Sequence, residues 1–241
     1  MYDKNLIVKR FSKSYEQYNQ LAVVQQKIAL QLSHAIQKYI AKAPEIGVEI
    51  GSGTGFLTNE LISQFPNCQW LINDISEESR KYLPVGTNFI AQDAETLEFP
   101  DNLDILISAS TAQWFNDLKG FIQRTLNSLA ESGIVAISTF GTSNFKEITA
   151  TTNNTLNYMT LNELSDCFEG YEILETRIWE EVLTFETPLE VLHHIKATGL
   201  NAISGERWTK SRLQEFCNDY LVKFGQATLT FNPIIIIARK A

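Results

Sequence analysis

The chain has 241 residues, 44% of them apolar, enough to bury one large core, and nothing in its composition marks a disordered or fibrous chain. Its formal charge of −8, from 20 basic and 28 acidic side chains, argues against nucleic acid, because a grip on a phosphate backbone needs a basic face set against that sign. Cys68, Cys167 and Cys217 are widely spaced with no His at ligand spacing, which argues for reduced thiols and no metal site.

The N-terminal MYDKNLIVKRFSKSY scatters charge where a secretory signal needs an apolar core, and no stretch approaches the roughly 20 apolar residues of a membrane span. A cytoplasmic protein is expected. Across residues 15 to 40, Leu21, Val24, Ile28, Leu32, Ile36 and Ile40 recur at three- and four-residue steps until Pro44, the stripe of an amphipathic helix in an N-terminal helical segment, 1–43. Short apolar runs follow at Ile46 to Ile50, Trp70 to Ile72, Asn88 to Ala91, Leu103 to Ile107 and Ile134 to Ser138, separated by helical or turn-like segments. Strands apolar on both faces and joined by helices belong to a parallel sheet covered on both sides.

Glu172 to Phe185 reads as one long strand, and helical patterns at 188 to 198 and 209 to 223 form a helical insertion over about 186–224. The closing ATLTFNPIIIIARKA reads as a second long strand, whose Pro233 argues for an edge or a bulge. The two strands are expected to pair as an antiparallel hairpin at one edge of the sheet, within a single domain, 1–241.

The segment VEIGSGTGFLTNEL, 48 to 61, carries the chemistry. Gly51, Gly53 and Gly55 follow a strand ending in Glu49 and Ile50, and Phe56, Leu57 and Leu61 begin a helical pattern. Such a corner turns tightly, lets a ligand approach the backbone and presents the free N–H groups of a helix start. A dinucleotide fingerprint would need glycine where Phe56 stands, and a phosphate-binding P-loop needs a Lys that is missing between 43 and 80.

What remains, Glu49-x-Gly51-x-Gly53-x-Gly55, resembles the first motif of class I S-adenosylmethionine-dependent methyltransferases. Two carboxylates fall where that family puts them. Asp74 ends the run WLIND, 19 residues after Gly55, where it would accept both ribose hydroxyls, and Asp93 follows the third strand, where it would face the adenine amino group beside the backbone N–H of Ala94. Each also fits a turn former or helix cap. In LISASTAQWFNDL, Ser108, Ser110 and Gln113 would line the floor beneath the methyl group, with Trp114 as wall or core; a Ser/Thr turn is the plain alternative.

Phe11, Tyr18 and Gln25 stand seven residues apart, and VLHHIKATGLNAIS occupies 191 to 204. With VEIGSGTGFLT these resemble the malonyl-acyl-carrier-protein O-methyltransferases of biotin synthesis over essentially the whole chain, apart from Leu129 to Gly133, where such enzymes commonly carry Lys-Pro-Gly. The resemblance implies an α/β Rossmann-like fold: a mostly parallel seven-stranded sheet with an antiparallel C-terminal strand, an N-terminal helix and a small helical insertion. It implies S-adenosylmethionine as cofactor and methylation of the free carboxylate of a malonyl thioester, on acyl carrier protein or coenzyme A.

Acceptor-site candidates are then Lys196, Thr198 and Asn201 in the insertion and Tyr18 from the opposite side. Arg207, Lys210 and Arg212 beside Trp208 would be a basic landing patch for an acidic carrier protein. His193 and His194, adjacent on a helix, cannot both face one site and have no assigned role. Two other readings stay open: methylation of another small carboxylic acid or activated carbon, and a non-enzymatic nucleoside-binding protein of the same fold.

Overall fold

The computed structural model describes residues 2–152, 156–199 and 208–241. Two helices come first, α1 (Lys4–Leu21) and α2 (Val23–Ile36), where the stripe predicts one. Ala22, at φ −81° and ψ 47°, breaks them apart, and Asp3 caps α1 by accepting from the amides of Asn5 and Leu6. The stripe belongs to α2, whose Val24, Ile28, Leu32 and Ile36 are buried, whereas Leu21 is exposed.

After α2 the chain alternates: β1 (Ile46–Ile50), α3 (Phe56–Gln64), β2 (Gln69–Asp74), β3 (Phe89–Ala91), β4 (Leu103–Ser108), α4 (Leu118–Ser128) and β5 (Leu129–Phe140). Then come α5 (Lys146–Thr152), α6 (Leu161–Ser165), β6 (Tyr171–Ile178), β7 (Glu181–Phe185), α7 (Pro188–Ala197), α8 (Lys210–Phe224), β8 (Ala227–Phe231) and β9 (Pro233–Lys240). The strands form a seven-stranded sheet in the order β3-β2-β1-β4-β5-β9-β6, with β9 antiparallel to both its neighbours, and a two-stranded sheet of β7 and β8. This is the mostly parallel α/β architecture the sequence predicts.

Alternation along the strands explains the two-sided burial. Ile105, Ile107, Ile235 and Ile237 face α2 and α3 with Leu32, Ile36, Leu57 and Leu61. Leu106, Ile234 and Ile236, one residue out of phase, meet Leu118, Phe121 and Ile122 of α4 on the other face. A third cluster, with Tyr220, Phe231 and Val191, joins α7, α8 and the small sheet to Ile7 of α1 and Ile28 of α2.

The C-terminal hairpin is present but bends between sheets, so neither long strand is continuous. The first divides into β6 and β7 around Trp179, the second into β8 and β9 at Asn232. Asn232 Nδ2 donates to the Trp179 carbonyl at 2.8 Å, and the Trp179 amide donates to the Pro233 carbonyl at 3.2 Å. The edge predicted from Pro233 falls instead to β6, since β9 lies between β5 and β6. Pro233 is the first residue of β9, where a missing N–H removes little from the ladder.

A candidate cofactor cleft under the first helix

Each parallel strand delivers its last residues to one end of the sheet, the usual ligand side of an open α/β fold. A cleft of about 990 Å³, counting the space at its mouth, lies there, walled by the ends of β1, β2 and β4, the loop after β3, and one side of α1. The inward residues of α1 are Ile7, Phe11, Tyr15 and Tyr18, at helical spacing. They turn one face of α1 to the cleft, and Ile7 also packs in the core cluster with Ile28, Trp114 and Val191.

The glycine loop forms the floor. The amides of Gly51 and Ser52 both donate to the Asn73 carbonyl, at 2.8 and 3.0 Å, pinning the loop to β2. Gly51 has φ +73°, and a Cβ there would sit 2.1 Å from Thr111 Oγ1, so the position demands glycine on conformational and steric grounds. Gly53, at φ +53°, has nothing within 4 Å of a built Cβ and faces the cleft. Gly55 caps the start of α3 and does not line the cleft.

Asp74 is buried, with Oδ2 accepting from the Gly53 amide and Oδ1 from the Ser76 amide, each at 2.8 Å. Burial raises its pKa, against the pull of the Ser76 and Gly53 amides. Glu49, only 1% exposed, accepts from Thr58 Oγ1 at 2.6 Å. Burial, with a smaller contribution from the Asp74 charge, pushes the Glu49 carboxyl up to about 8. Two carboxyls at this place suit a cation, whose charge would favour the ionised form of Glu49.

At the far end, Asp93 and Ala94 line the cleft, and Asp93 Oδ1 accepts from the Glu95 amide at 3.0 Å. Lys4 reaches over from α1, 2.6 Å from Glu95 Oε2 and 3.4 Å from Asp93 Oδ1. Glu95 also accepts from the amides of Asn116 and Asp117. Burial pushes its pKa up, but Lys4 and the two amides outweigh that and hold it low. Further contacts seat α1: Ser12 and Ser76 hydroxyls at 2.9 Å, Tyr15 and Ser79 hydroxyls at 2.9 Å, and the Tyr18 ring stacked 5.8 Å from Phe56.

Four side chains on the wall, Gln25, Ser52, Thr54 and Ser110, hold buried polar atoms with no partner among the described residues. Ser110 also has φ +55°, rare for a non-glycine residue, and donates its amide to Ser138. An acidic, aromatic cleft edged by unpaired hydroxyls and an amide fits a cationic nucleoside such as S-adenosylmethionine.

Residues 48–137 match the methyltransferase domain family. A malonyl-[acyl-carrier protein] O-methyltransferase of Haemophilus influenzae is 35% identical, covering 98% of this chain and 95% of the relative. One of Chlorobium luteolum is 36% identical over 99% and 96%. The chain belongs to the malonyl-[acyl-carrier protein] O-methyltransferase family. Its fold matches the phosphoethanolamine N-methyltransferase 2 of Haemonchus contortus in complex with S-adenosyl-L-methionine, at a TM-score of 0.51 and 19% identity, over 86% of this chain and 52% of that one.

Within this methyltransferase fold the remaining candidates are dispersed. Ser108 does not face the cleft: its buried hydroxyl donates to the Ile50 carbonyl at 2.9 Å, tying β4 to β1. Gln113 lines a neighbouring hollow with Tyr2, Thr139 and Tyr158, its Nε2 donating to the Ser110 carbonyl at 2.6 Å. Trp114 is buried and reaches the cleft wall, with Phe11 edge-on at 5.5 Å.

Lys196 is exposed in the last turn of α7, and the buried Thr198 donates its hydroxyl to the His194 carbonyl at 2.8 Å; neither lines the cleft. Asn201 and Arg207 lie outside the described residues. Lys210 and Arg212 are exposed, with the Arg212 guanidinium 5.6 Å from the Trp208 ring and 3.2 Å from Glu215. Sequence reasoning missed Lys4, Ser52 and Thr54. It marked Gln25 only by its spacing from Phe11 and Tyr18.

Proposed function

We infer that the protein methylates the free carboxylate of a malonyl thioester, on acyl carrier protein or coenzyme A, to its methyl ester, an early step of biotin synthesis. The observation that carries this reading is the end-to-end similarity to malonyl-[acyl-carrier protein] O-methyltransferases, joined to a cleft whose acids and unpaired polar atoms suit the expected cofactor. When bound, S-adenosylmethionine supplies an electrophilic methyl group on a sulfonium, which the acceptor carboxylate takes in a single displacement.

The chain's residues bind, orient and exclude water. Gly51 and Gly53 let the methionine end lie against the backbone, and Glu49 faces its positive charge. Asp74, held at the tip of β2 by the Gly53 and Ser76 amides, faces the ribose hydroxyls. Asp93 and the Ala94 amide take the adenine edge, with Lys4 closing over them. Gly55 starts α3 and Ser108 braces the floor, both behind the contact surface.

No general base is needed, because a malonyl carboxylate is ionised at neutral pH and already nucleophilic. Attack of an anion on a cation cancels charge, so the aromatic wall of Phe11, Tyr15, Tyr18, Trp114 and Phe115 favours the reaction by shedding water. Orientation in such a cleft can remove roughly 7–11 kcal/mol of barrier. Ser110, with its free hydroxyl on the wall, is the leading acceptor-side donor, and Tyr18 caps the same space. Gln113 orients Ser110 through the Ser110 carbonyl, while Lys196 and Thr198 belong to the insertion beyond the wall.

Lys210 and Arg212, with Arg207, form the proposed landing patch for an acidic carrier protein. Among the described residues no helix is long and apolar enough to cross a membrane; the cytoplasmic setting is the one this chemistry implies. The test is transfer of labelled methyl from S-adenosylmethionine to malonyl-acyl carrier protein, malonyl-coenzyme A and free malonate in parallel. Transfer to the thioesters and not to malonate is expected; transfer to malonate alone, or to none while cofactor binds, refutes the assignment.

A further inference from the structure

Gln25, in the first turn of α2, is 4% exposed, lines the cleft, and has neither Nε2 nor Oε1 paired with another group among the described residues. A buried amide with both ends unpaired is costly and rare in a folded protein, so its retention calls for a ligand that pairs both ends.

Its position selects which part of the ligand. Ala29, one turn further along α2, lines the same cleft and packs in the cluster that contains Leu57 of α3. Tyr18, near the end of α1, stacks on Phe56, the first residue of α3. Gln25 therefore lines the cleft at the side where α2 packs on α3, the helix that the glycine loop opens. The ribose acceptor Asp74 and the adenine-side Asp93 follow β2 and β3, successively further along the sheet.

The charge inventory narrows the chemistry. Among the described residues that line the cleft, Lys4 is the one cation, and it is engaged with Asp93 and Glu95 at the far end. Near β1 a carboxylate has only neutral donors to turn to. An α-amino-carboxylate end, bearing both an ammonium and a carboxylate, matches this setting: Glu49 faces the ammonium, and an amide pairs with both groups.

We propose that Gln25 reads the methionine end of the cofactor, Nε2 donating to its α-carboxylate and Oε1 accepting from its α-ammonium, and so sets specificity for adenosyl ligands that retain the amino-acid end. Ser52 and Thr54, whose hydroxyls are also unpaired on this wall, complete the donor set. The proposal rests on the cofactor orientation given under the proposed function.

The experiment is calorimetric titration of the full chain and of Gln25→Met, which keeps length and loses the amide. The ligands are S-adenosylhomocysteine and 5′-methylthioadenosine, which lacks the amino-acid end. Gln25→Met is expected to weaken S-adenosylhomocysteine about 10- to 100-fold, as for loss of hydrogen bonds to charged groups, and to change 5′-methylthioadenosine less than about twofold. The ligand-free variant should melt at a higher temperature than the parent, because an unpaired buried amide has been removed.

Gln25→Glu gives a second reading: repulsion of the α-carboxylate weakens S-adenosylhomocysteine further, while decarboxylated S-adenosylmethionine, which keeps its amine, binds as well as before or better. Equal weakening of both nucleosides by Gln25→Met, or unchanged S-adenosylhomocysteine affinity, overturns the proposal. So does an effect confined to the KM of the methyl acceptor. Failure of the parent chain to bind S-adenosylhomocysteine at all would instead refute the cofactor orientation itself.

Discussion

Replacing Glu49 by Gln should flatten the pH dependence of stability in the ligand-free protein. In the fold, burial lifts this carboxyl from 4.5 to about 8. Between those values the folded chain holds a proton that the unfolded chain has released, so stability falls as pH rises. The contribution is fully present below about pH 4.5 and gone above about 8. Each pH unit inside the window costs about 1.4 kcal/mol, on the order of 5 kcal/mol across it. Asp74, also raised, acts with the same sign. His194, whose pKa burial lowers, acts oppositely, losing its destabilising influence as pH rises through the usual histidine range. Comparing parent and Glu49→Gln cancels both, and the amide oxygen can still accept from Thr58. The assay is urea unfolding of ligand-free protein at pH 5, 6, 7 and 8. The parent should lose midpoint steadily while the variant loses much less; parallel slopes would show that Glu49 ionises normally, and the account of the acidic floor would be wrong.

The same proton should surface on ligand binding. A cation beside Glu49 favours its ionised form, so titration of S-adenosylmethionine at pH 7 in buffers of different ionisation enthalpy should show proton release from the parent and none from Glu49→Gln. Gly53→Val should abolish cofactor binding, because the side chain would enter the cleft from a backbone at φ +53°; undiminished calorimetric affinity would refute the floor assignment. Asp74→Ala should weaken binding by about 1.5–3 kcal/mol, as for loss of hydrogen bonds to a charged group. Unchanged affinity there would reduce Asp74 to a loop anchor for Gly53 and Ser76. Lys4→Met should speed hydrogen exchange in the first turns of α1 and leave β1 and β4 protected; unchanged exchange would show that the Lys4 contacts do not hold the helix.

What the sequence revealed follows from where the relevant physics is local. β1, the glycine loop and Asp74 were legible because an apolar run, positive φ and a strand-tip carboxylate each leave a mark within a few residues. The count of seven strands and the antiparallel C-terminal strand were legible only through resemblance, and the order of the strands was not read at all. Ala22 left no mark, since the stripe that starts at Leu21 continues in phase through α2. The N-terminal helical segment was legible as such, but the inward face of its first half was not, because Ile7 and Tyr15 stand among charged and polar neighbours in the sequence. The bend between β6 and β7 was invisible in an unbroken strand pattern; it depends on Asn232, some 50 residues away and held by tertiary hydrogen bonds. Ser108 and Thr198 read as free hydroxyls because pairing with the Ile50 and His194 carbonyls is decided only when the backbone folds.

The corner at Trp179 and Asn232 has a consequence for where mutations beyond it act. The chain leaves the large sheet at one side of that corner and rejoins it at the other, with the exit and re-entry bonded to each other. Residues 180 to 232 thus form a closed excursion, a cassette whose two ends meet at the same place. Its helices are tied to the rest of the fold by packing, since Val191, Phe216 and Tyr220 share a cluster with Ile7 of α1 and Ile28 of α2. Changes inside the cassette therefore act on the helix that covers the cleft, through Ile7, while the register of β9 between β5 and β6 is held by its own ladders.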